Sequence, residues 1–236
     1  MKLEIQAAAQ KINKYATAES GDTVEIIERP NGGISMVMAD GQRSGRSAKT
    51  ISNIVVRKAI SLIGEGVRDG AVARATHDYL RTHRGGKVSA ELIILSVDLR
   101  TSTVVISRNT RCPILLRICD AFTWLDQESD AVGIYANTKP AIAEFQIEPL
   151  LTFVAFTDGV WSSGRQSDSV IDIEAILRRV DPDCMASADA IAQAVLSEAM
   201  ARDKGRPRDD ACVLVMKTVQ RAEPNQIRRL SIRFPI

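Results

Sequence analysis

The hydrophobic period of this chain changes in blocks. Segments with period two come first, then two segments with a period near 3.6 residues, a long run of strand-like segments, two more helical segments and a last strand. Residues 3–9 alternate weakly, 22–28 carry Val24, Ile26 and Ile27, and 34–39 alternate Ile34, Met36 and Met38. Pro30-Asn31-Gly32-Gly33 reads as the turn of a hairpin whose second strand ends at Asp40. From Ser47 to Ile63 a helical stripe is predicted through Ile51, Ile54, Val55, Ala59, Leu62 and Ile63, stopped by Gly64-Glu65-Gly66. A second helix is predicted over Asp69–His83, with Val72, Ala75, Thr76, Tyr79 and Leu80 on one face. Strands are predicted at 92–97, 103–107, 114–118, 122–125, 141–147 and 151–157, then helices through Ile173–Val180 and from a Ser187 cap to Ala199, and a final strand over 211–216. Strands and helices do not alternate one by one, which argues against Rossmann and barrel folds. Antiparallel sheets covered by helices, an α+β layered domain, are the expectation.

A chain of 236 residues buries enough surface to need no disulfides or structural metal. Cys112, Cys119, Cys184 and Cys212 form no C-x-x-C pair and read as reduced thiols, in keeping with a cytoplasmic protein. The N-terminus does not read as a signal peptide, and no run approaches the ~18 apolar residues of a membrane span. With 31 Lys and Arg against 29 Asp and Glu the net charge is +2, so a general polyanion binder is not expected. The expectation is one domain over 1–236, with its core about 3–217 and a basic C-terminal segment at 218–236. Residues 201–236 hold nine basic and four acidic side chains. They read as solvated surface with an edge strand, or as a docking surface for an acidic protein partner. No aromatic interleaving supports nucleic-acid binding.

Several chemistries lack their residues. There is no P-loop and no G-x-S-x-G elbow. The two histidines, His77 and His83, fall six positions apart on a predicted surface helix and read as exposed, which leaves no basis for a histidine triad or zinc site. What stands out is aspartate at the ends of apolar strands: Asp22 in Ser20-Gly21-Asp22, Asp40 in Ala39-Asp40-Gly41, Asp158 in Phe156-Thr157-Asp158-Gly159, and Asp209-Asp210 before the last strand. Each Asp-Gly alone reads as a turn, the glycine letting the backbone bend and leaving its carbonyl approachable. As a set they would gather negative charge at the rim of a sheet. A hard dication with oxygen ligands, Mg²⁺ or Mn²⁺, is the natural compensation.

These motifs, with the loop Asp40-Gly41-Gln42-Arg43-Ser44-Gly45, occur in the order seen in metal-dependent protein serine/threonine phosphatases of the type 2C class. The chain resembles most closely the small bacterial SpoIIE/RsbX-like branch, over most of residues 18–217. The resemblance implies a four-layer α-β-β-α sandwich, with two mainly antiparallel central sheets flanked by helix pairs. It implies two Mn²⁺ or Mg²⁺ ions. Asp40 would bridge them, Gly41 would offer its carbonyl, Asp158 and Asp209 would hold the second ion, and Asp22 would contribute directly or through water. Asp40, Asp158 and Asp209 are thus the expected catalytic residues. Asp210 is not expected to be a ligand, since the family pattern assigns that role to the first acid of its pair. The implied reaction is hydrolysis of a phosphoserine or phosphothreonine monoester by activated water, on a phosphorylated regulatory protein of the STAS type, with neither nucleic acid nor membrane as partner. The sequence departs from the family where Arg43 replaces the middle glycine of Asp-Gly-x-Gly-x-Gly. Arg43, Ser44 and Gly45 lead into a helix N-terminus and are the expected substrate-binding segment, although Arg43 also fits a solvated loop rim. The alternative reading is a catalytically weak phosphatase-like module that binds a phosphoprotein.

Overall fold

The computed structural model describes residues 2–165, 170–221 and 227–235. One five-stranded sheet has the order β2 (Asp22–Glu28), β3 (Gly33–Gly41), β4 (Ala90–Asp98), β5 (Thr103–Asn109), β8 (Ala141–Gln146). The other runs β1 (Lys2–Ile12), β10 (Ala211–Arg221), β9 (Leu151–Phe156), β6 (Ile114–Ile118), β7 (Ala121–Leu125). Every pairing between these neighbours is antiparallel.

The central strands are apolar on both faces because each sheet packs on two sides. Met36 and Met38 of β3, with Ile93 and Leu95 of β4, turn inward against Phe153, Leu214 and Met216 of the other sheet. The intervening residues Val37, Ala39, Leu92 and Ile94 turn outward onto α1 (Gly45–Gly64) and α2 (Asp69–His83), where they meet Val55, Ala59 and Leu80. On the opposite side Val154, Phe156, Val213 and Val215 face Ile176 and Leu177 of α4 (Ile173–Val180) and Ile191 and Val195 of α5 (Ala188–Arg202). Each such side chain contributes about 1.5–3 kcal/mol by leaving water. The result is the α-β-β-α sandwich expected from the sequence. Ser187 caps α5 as expected, its hydroxyl accepting the Ala190 N–H at 3.1 Å.

Four details differ from the sequence reading. The α2 stripe is rotated: Ala73 and His77 are buried, while Tyr79 is exposed and stacks on His83 with ring centroids 5.6 Å apart. His77 is only 2% exposed, and its Nδ1 accepts the Gly133 N–H at 3.0 Å. Burial lowers its pKa. A four-residue helix, α3 (Asp158–Trp161), follows β9 where only a turn was expected. Finally, β10 runs on to Arg221 and lies between β1 and β9, so this part of the basic C-terminal stretch is an interior strand rather than an edge.

Candidate active site

Strand register gathers the first three carboxylates. Asp22 of β2 pairs with Asp40 of β3, and Asp40 with Glu91 of β4. Side chains alternate along a strand, so Asp40 shares the inward face of Met38 and Met36, and Glu91 that of Ile93. The three acids therefore cap one end of the inter-sheet core. The second sheet brings its acids to the same end. β9 passes from Phe156 into α3 at Asp158, and Asp209-Asp210 lead into β10, whose Val213 pairs with Phe156. Asp40, Glu91, Asp158 and Asp209 line one cleft of about 340 Å³, together with Lys14, Gly41, Arg43 and Ser44.

The electrostatics of this group are unfavourable when it stands alone. Burial pushes the Asp40 carboxyl up to about 10, with Asp22, Asp158, Glu91 and Asp209 adding repulsion. Asp22 rises to about 7, chiefly through burial; a hydrogen bond from Thr157 opposes the shift, while Asp210 and Asp158 add to it. Asp158 and Glu91 are also raised, first by burial and then by neighbouring carboxylates, although Glu91 accepts a hydrogen bond from Thr110 at 2.5 Å. Asp22 has no exposed surface. Its Oδ2 accepts from Thr157 at 3.1 Å, while Oδ1 is buried without a partner. Buried polar atoms are ordinarily paired. An all-oxygen, acceptor-only set with an orphaned buried oxygen suits a hard divalent cation. Among the described residues no three of these side chains form a ready-made coordination cluster, so the structure supplies the donors rather than a closed shell.

Asp40, Gly41, Asp158 and Asp209 are thus brought together, and Asp22 stands behind the cleft wall beside Asp40. Asp210 turns away from the cleft and clamps the chain. Its oxygens accept the Lys14 N–H at 2.9 Å and the Gly21 N–H at 2.8 Å. The glycines of the Asp-Gly pairs serve a different purpose from the one expected. Neither Gly41 nor Gly159 has positive φ. A Cβ on Gly41 would lie 2.0 Å from the Ala48 carbonyl oxygen of α1, and one on Gly159 would lie 2.1 Å from that of Asp210. Close backbone approach, which positions both acids, excludes any side chain there.

Arg43 occupies the left-handed region at φ 77, and its side chain is exposed at the cleft mouth. Ser44 is the N-cap of α1 but its hydroxyl makes no capping bond, and no acid lies in the first turn. The N-terminal end of that helix is therefore unneutralised beside the cleft. Gly45, at φ 68, is not part of the lining. Two charged lining residues escaped the sequence reading. Glu91 precedes an apolar strand without an Asp-Gly signature, and only strand register reveals it. Lys14 follows β1, and its place depends on β1 pairing along β10.

Comparisons with known proteins agree with this fold. The phosphatase domain of SpoIIE from Bacillus subtilis, solved with a fragment of its regulatory domain, superposes with a TM-score of 0.79 at 16% identity. That match covers 94% of this chain and 65% of the other, so this chain spans somewhat under two thirds of that structure's length. RsbX in complex with magnesium gives 0.69 at 15% identity, over 92% of this chain and 98% of the other. The catalytic domain of the serine/threonine phosphatase PstP with two manganese ions gives 0.71 at 13% identity, over 93% and 100%. The chain matches none of the curated proteins. At these identities the likeness establishes the fold, that of the PP2C phosphatases. The sequence model of Stage II sporulation protein E matches residues 30–219, from the β2–β3 turn through most of β10, and the chain belongs to the SpoIIE family.

Proposed function

We propose that this protein is a metal-dependent phosphatase that hydrolyses phosphoserine or phosphothreonine on a regulatory protein. The observation that carries the reading is one cleft with two chemical walls. Asp40, Glu91, Asp158 and Asp209 stand together, and Lys14, Arg43 and Ser44, the N-cap of α1, line the same cleft. Carboxylates alone repel a phosphate, so the acidic wall suits a cation and the basic wall suits the phosphoryl oxygens. Asp40, Asp158 and Asp209, with the Gly41 carbonyl and with Asp22 behind them, would hold Mn²⁺ or Mg²⁺, two ions by resemblance to the family. Bound there, the metal supplies charge neutralisation and lowers the pKa of water.

The remaining work falls to the chain. Lys14 and Arg43 orient the phosphoryl oxygens, the guanidinium being able to offer two parallel hydrogen bonds. Gly41 lets the loop lie against the Ala48 carbonyl of α1. No histidine or cysteine lines the cleft among the described residues, so neither provides a covalent nucleophile. The resemblance to the SpoIIE/RsbX-like branch supports a phosphorylated STAS-type protein as the substrate.

The test is hydrolysis of p-nitrophenyl phosphate and of a phosphoserine peptide with Mn²⁺, with Mg²⁺ and after exhaustive EDTA treatment. Turnover that requires metal is expected. Turnover unchanged by chelation sinks the metal assignment. Binding of the phosphopeptide without turnover in any metal favours the binding-module alternative.

A further inference from the structure

A second cleft, of about 360 Å³, is basic. Its lining includes Arg165, Arg202, Lys204 and Arg208, with Asp203 as the one acid. Asp203 is engaged in holding the walls together: its oxygens accept the Gly164 N–H at 3.1 Å and the Arg208 N–H at 3.2 Å. Arg202 pairs with Glu198 at 3.1 Å. Arg165, Lys204 and Arg208 are exposed and make no ion pair with any carboxylate among the described residues. Three exposed cations against one carboxylate, itself engaged by backbone N–H groups, leave the concavity with a net positive charge. An anion that enters offsets that charge.

Two short stretches of chain lead from one cleft to the other. Asp158, the first residue of α3, opens onto the acidic cleft, and Ser162, just past its end, lines the basic one. Asp209 lines the first and its neighbour Arg208 the second. Asp158 and Ser162 are four residues apart, about 6 Å along a helix. An extended peptide rises about 3.3 Å per residue. A chain with its phosphoserine in the first cleft would therefore carry side chains two to four positions away into the second.

We propose that this basic cleft docks anionic side chains, carboxylates or a second phosphate, that flank the scissile phosphoserine of the protein substrate. The proposal rests on phosphoserine occupying the first cleft. Docking sets which phosphoproteins are bound well, and the chemistry stays in the acidic cleft. The cleft lining carries no aromatic side chain on which bases could stack, which favours an acidic polypeptide over a single-stranded nucleic acid.

The experiment has two arms. In the first, kcat/KM is measured for a phosphoserine peptide flanked by glutamates and for the same peptide with glutamines, in the wild type and in Arg165→Glu/Lys204→Glu. The wild type should prefer the glutamate peptide about tenfold at low salt, the preference shrinking as salt screens it. The variant should bring the ratio to about one or below. A doubly phosphorylated peptide then separates a second phosphate from carboxylates as the better occupant. In the second arm, fluorescence anisotropy follows a labelled glutamate peptide without phosphoserine, so the basic cleft is read without turnover. Binding that the charge reversal abolishes supports the proposal. A wild-type ratio of one, a preference untouched by the double variant, or stronger displacement by a single-stranded oligonucleotide than by the glutamate peptide overturns it. Absence of turnover on every peptide, with anisotropy intact, sinks the phosphatase reading and leaves docking standing. If the double variant fails to fold, the single change Lys204→Gln carries the same comparison with a smaller loss.

Discussion

Two charged regions of this protein, one buried and one only partly so, are built on opposite plans. Beneath α4 and α5, Asp181 and Lys217 have no exposed surface and Arg117 only 2%. Lys217 Nζ donates to Asp181 Oδ2 at 3.2 Å and to the Cys184 and Ala186 carbonyls at 3.1 and 2.6 Å. Arg117 donates to the Asp181 carbonyl at 2.5 Å and to that of Cys119 at 2.6 Å. The Ala186 N–H donates to Asp181 Oδ1 at 2.6 Å. Every charge there has an internal partner. At the other end of the sandwich Asp22, Asp40, Glu91 and Asp158 have mainly one another, and each is shifted towards its neutral form. A chain that satisfies one buried cluster fully and leaves another with like charges places its stability in the first. The second is balanced either by the protons its raised acids keep or by a cation, and the cation is the one that the proposed function invokes.

The sharpest break in that comparison is metal removal. EDTA should abolish phosphatase turnover and leave the Lys217 cluster, and with it the fold, in place. Turnover by stopped assay and circular dichroism on the same samples check both halves. Next comes Asp40, the acid nearest the centre of the set. Asp40→Asn should lower kcat by at least about 10²-fold, the scale of losing a major electrostatic element. It should also raise the melting temperature of the metal-free protein near neutral pH, because folding no longer has to take up the proton that keeps Asp40 neutral. Near-normal kcat, or a lower metal-free melting temperature, would show that the acidic group is not centred on Asp40.

On the paired side, Lys217→Met removes one partner of a buried anion. Such breaks cost about 3–5 kcal/mol when the charge is left alone. Arg117 still contacts Asp181, at 3.5 Å to Oδ2, so about 2–3 kcal/mol is expected. Denaturant unfolding measures the loss, and the KM of whatever variant remains folded should not move. A change in KM would mean that the two regions communicate.

The dependence on pH sharpens the same contrast. Asp40, near 10 in the fold, and Asp22, near 7, keep protons that an unfolded chain releases around the ordinary value of 3.8. The folded state then binds more protons than the unfolded one, so stability falls as pH rises. The loss begins near 4, continues to about 7 for Asp22 and extends towards 10 for Asp40. Metal-free protein should melt at a lower temperature at about pH 9 than at about pH 5. Asp40→Asn should flatten the slope, and saturating Mn²⁺ should oppose it. A metal-free melting temperature that rises over this range contradicts the buried-acid account.

What the sequence revealed follows from the range of each signal. The helix limits of α2 came from local caps and glycines, but its face was misplaced. Ala75 and Tyr79 fit the stripe as well as Ala73 and His77 do, and only packing against the loop at Gly133 selects the latter. Asp40 and Asp158 were legible because an acid at the end of an apolar strand is a local pattern. Glu91 and Lys14 were not, because their position depends on register across β3–β4 and β1–β10. The helix α3, at four residues, is shorter than any periodic signal could reveal.

The smallest expected effect concerns Arg43, which stands at the mouth of the acidic cleft with its backbone at φ 77. The left-handed region costs an ordinary L-residue about 1–2 kcal/mol, and glycine almost nothing. Arg43→Gly should therefore stabilise the fold by about 1 kcal/mol, less whatever is lost to the greater freedom of glycine in the unfolded chain. Activity decides what the strain is for. If the guanidinium orients the phosphoryl group, kcat/KM should fall roughly tenfold, about 1.4 kcal/mol, with metal affinity unchanged. Stability and activity then move in opposite directions, as expected where a strained residue is retained for function. If the side chain obstructs the loop, both should rise together. If kcat/KM is unchanged while the melting temperature rises, Arg43 is a solvated rim residue, and orientation of the phosphate falls to Lys14 and the open start of α1.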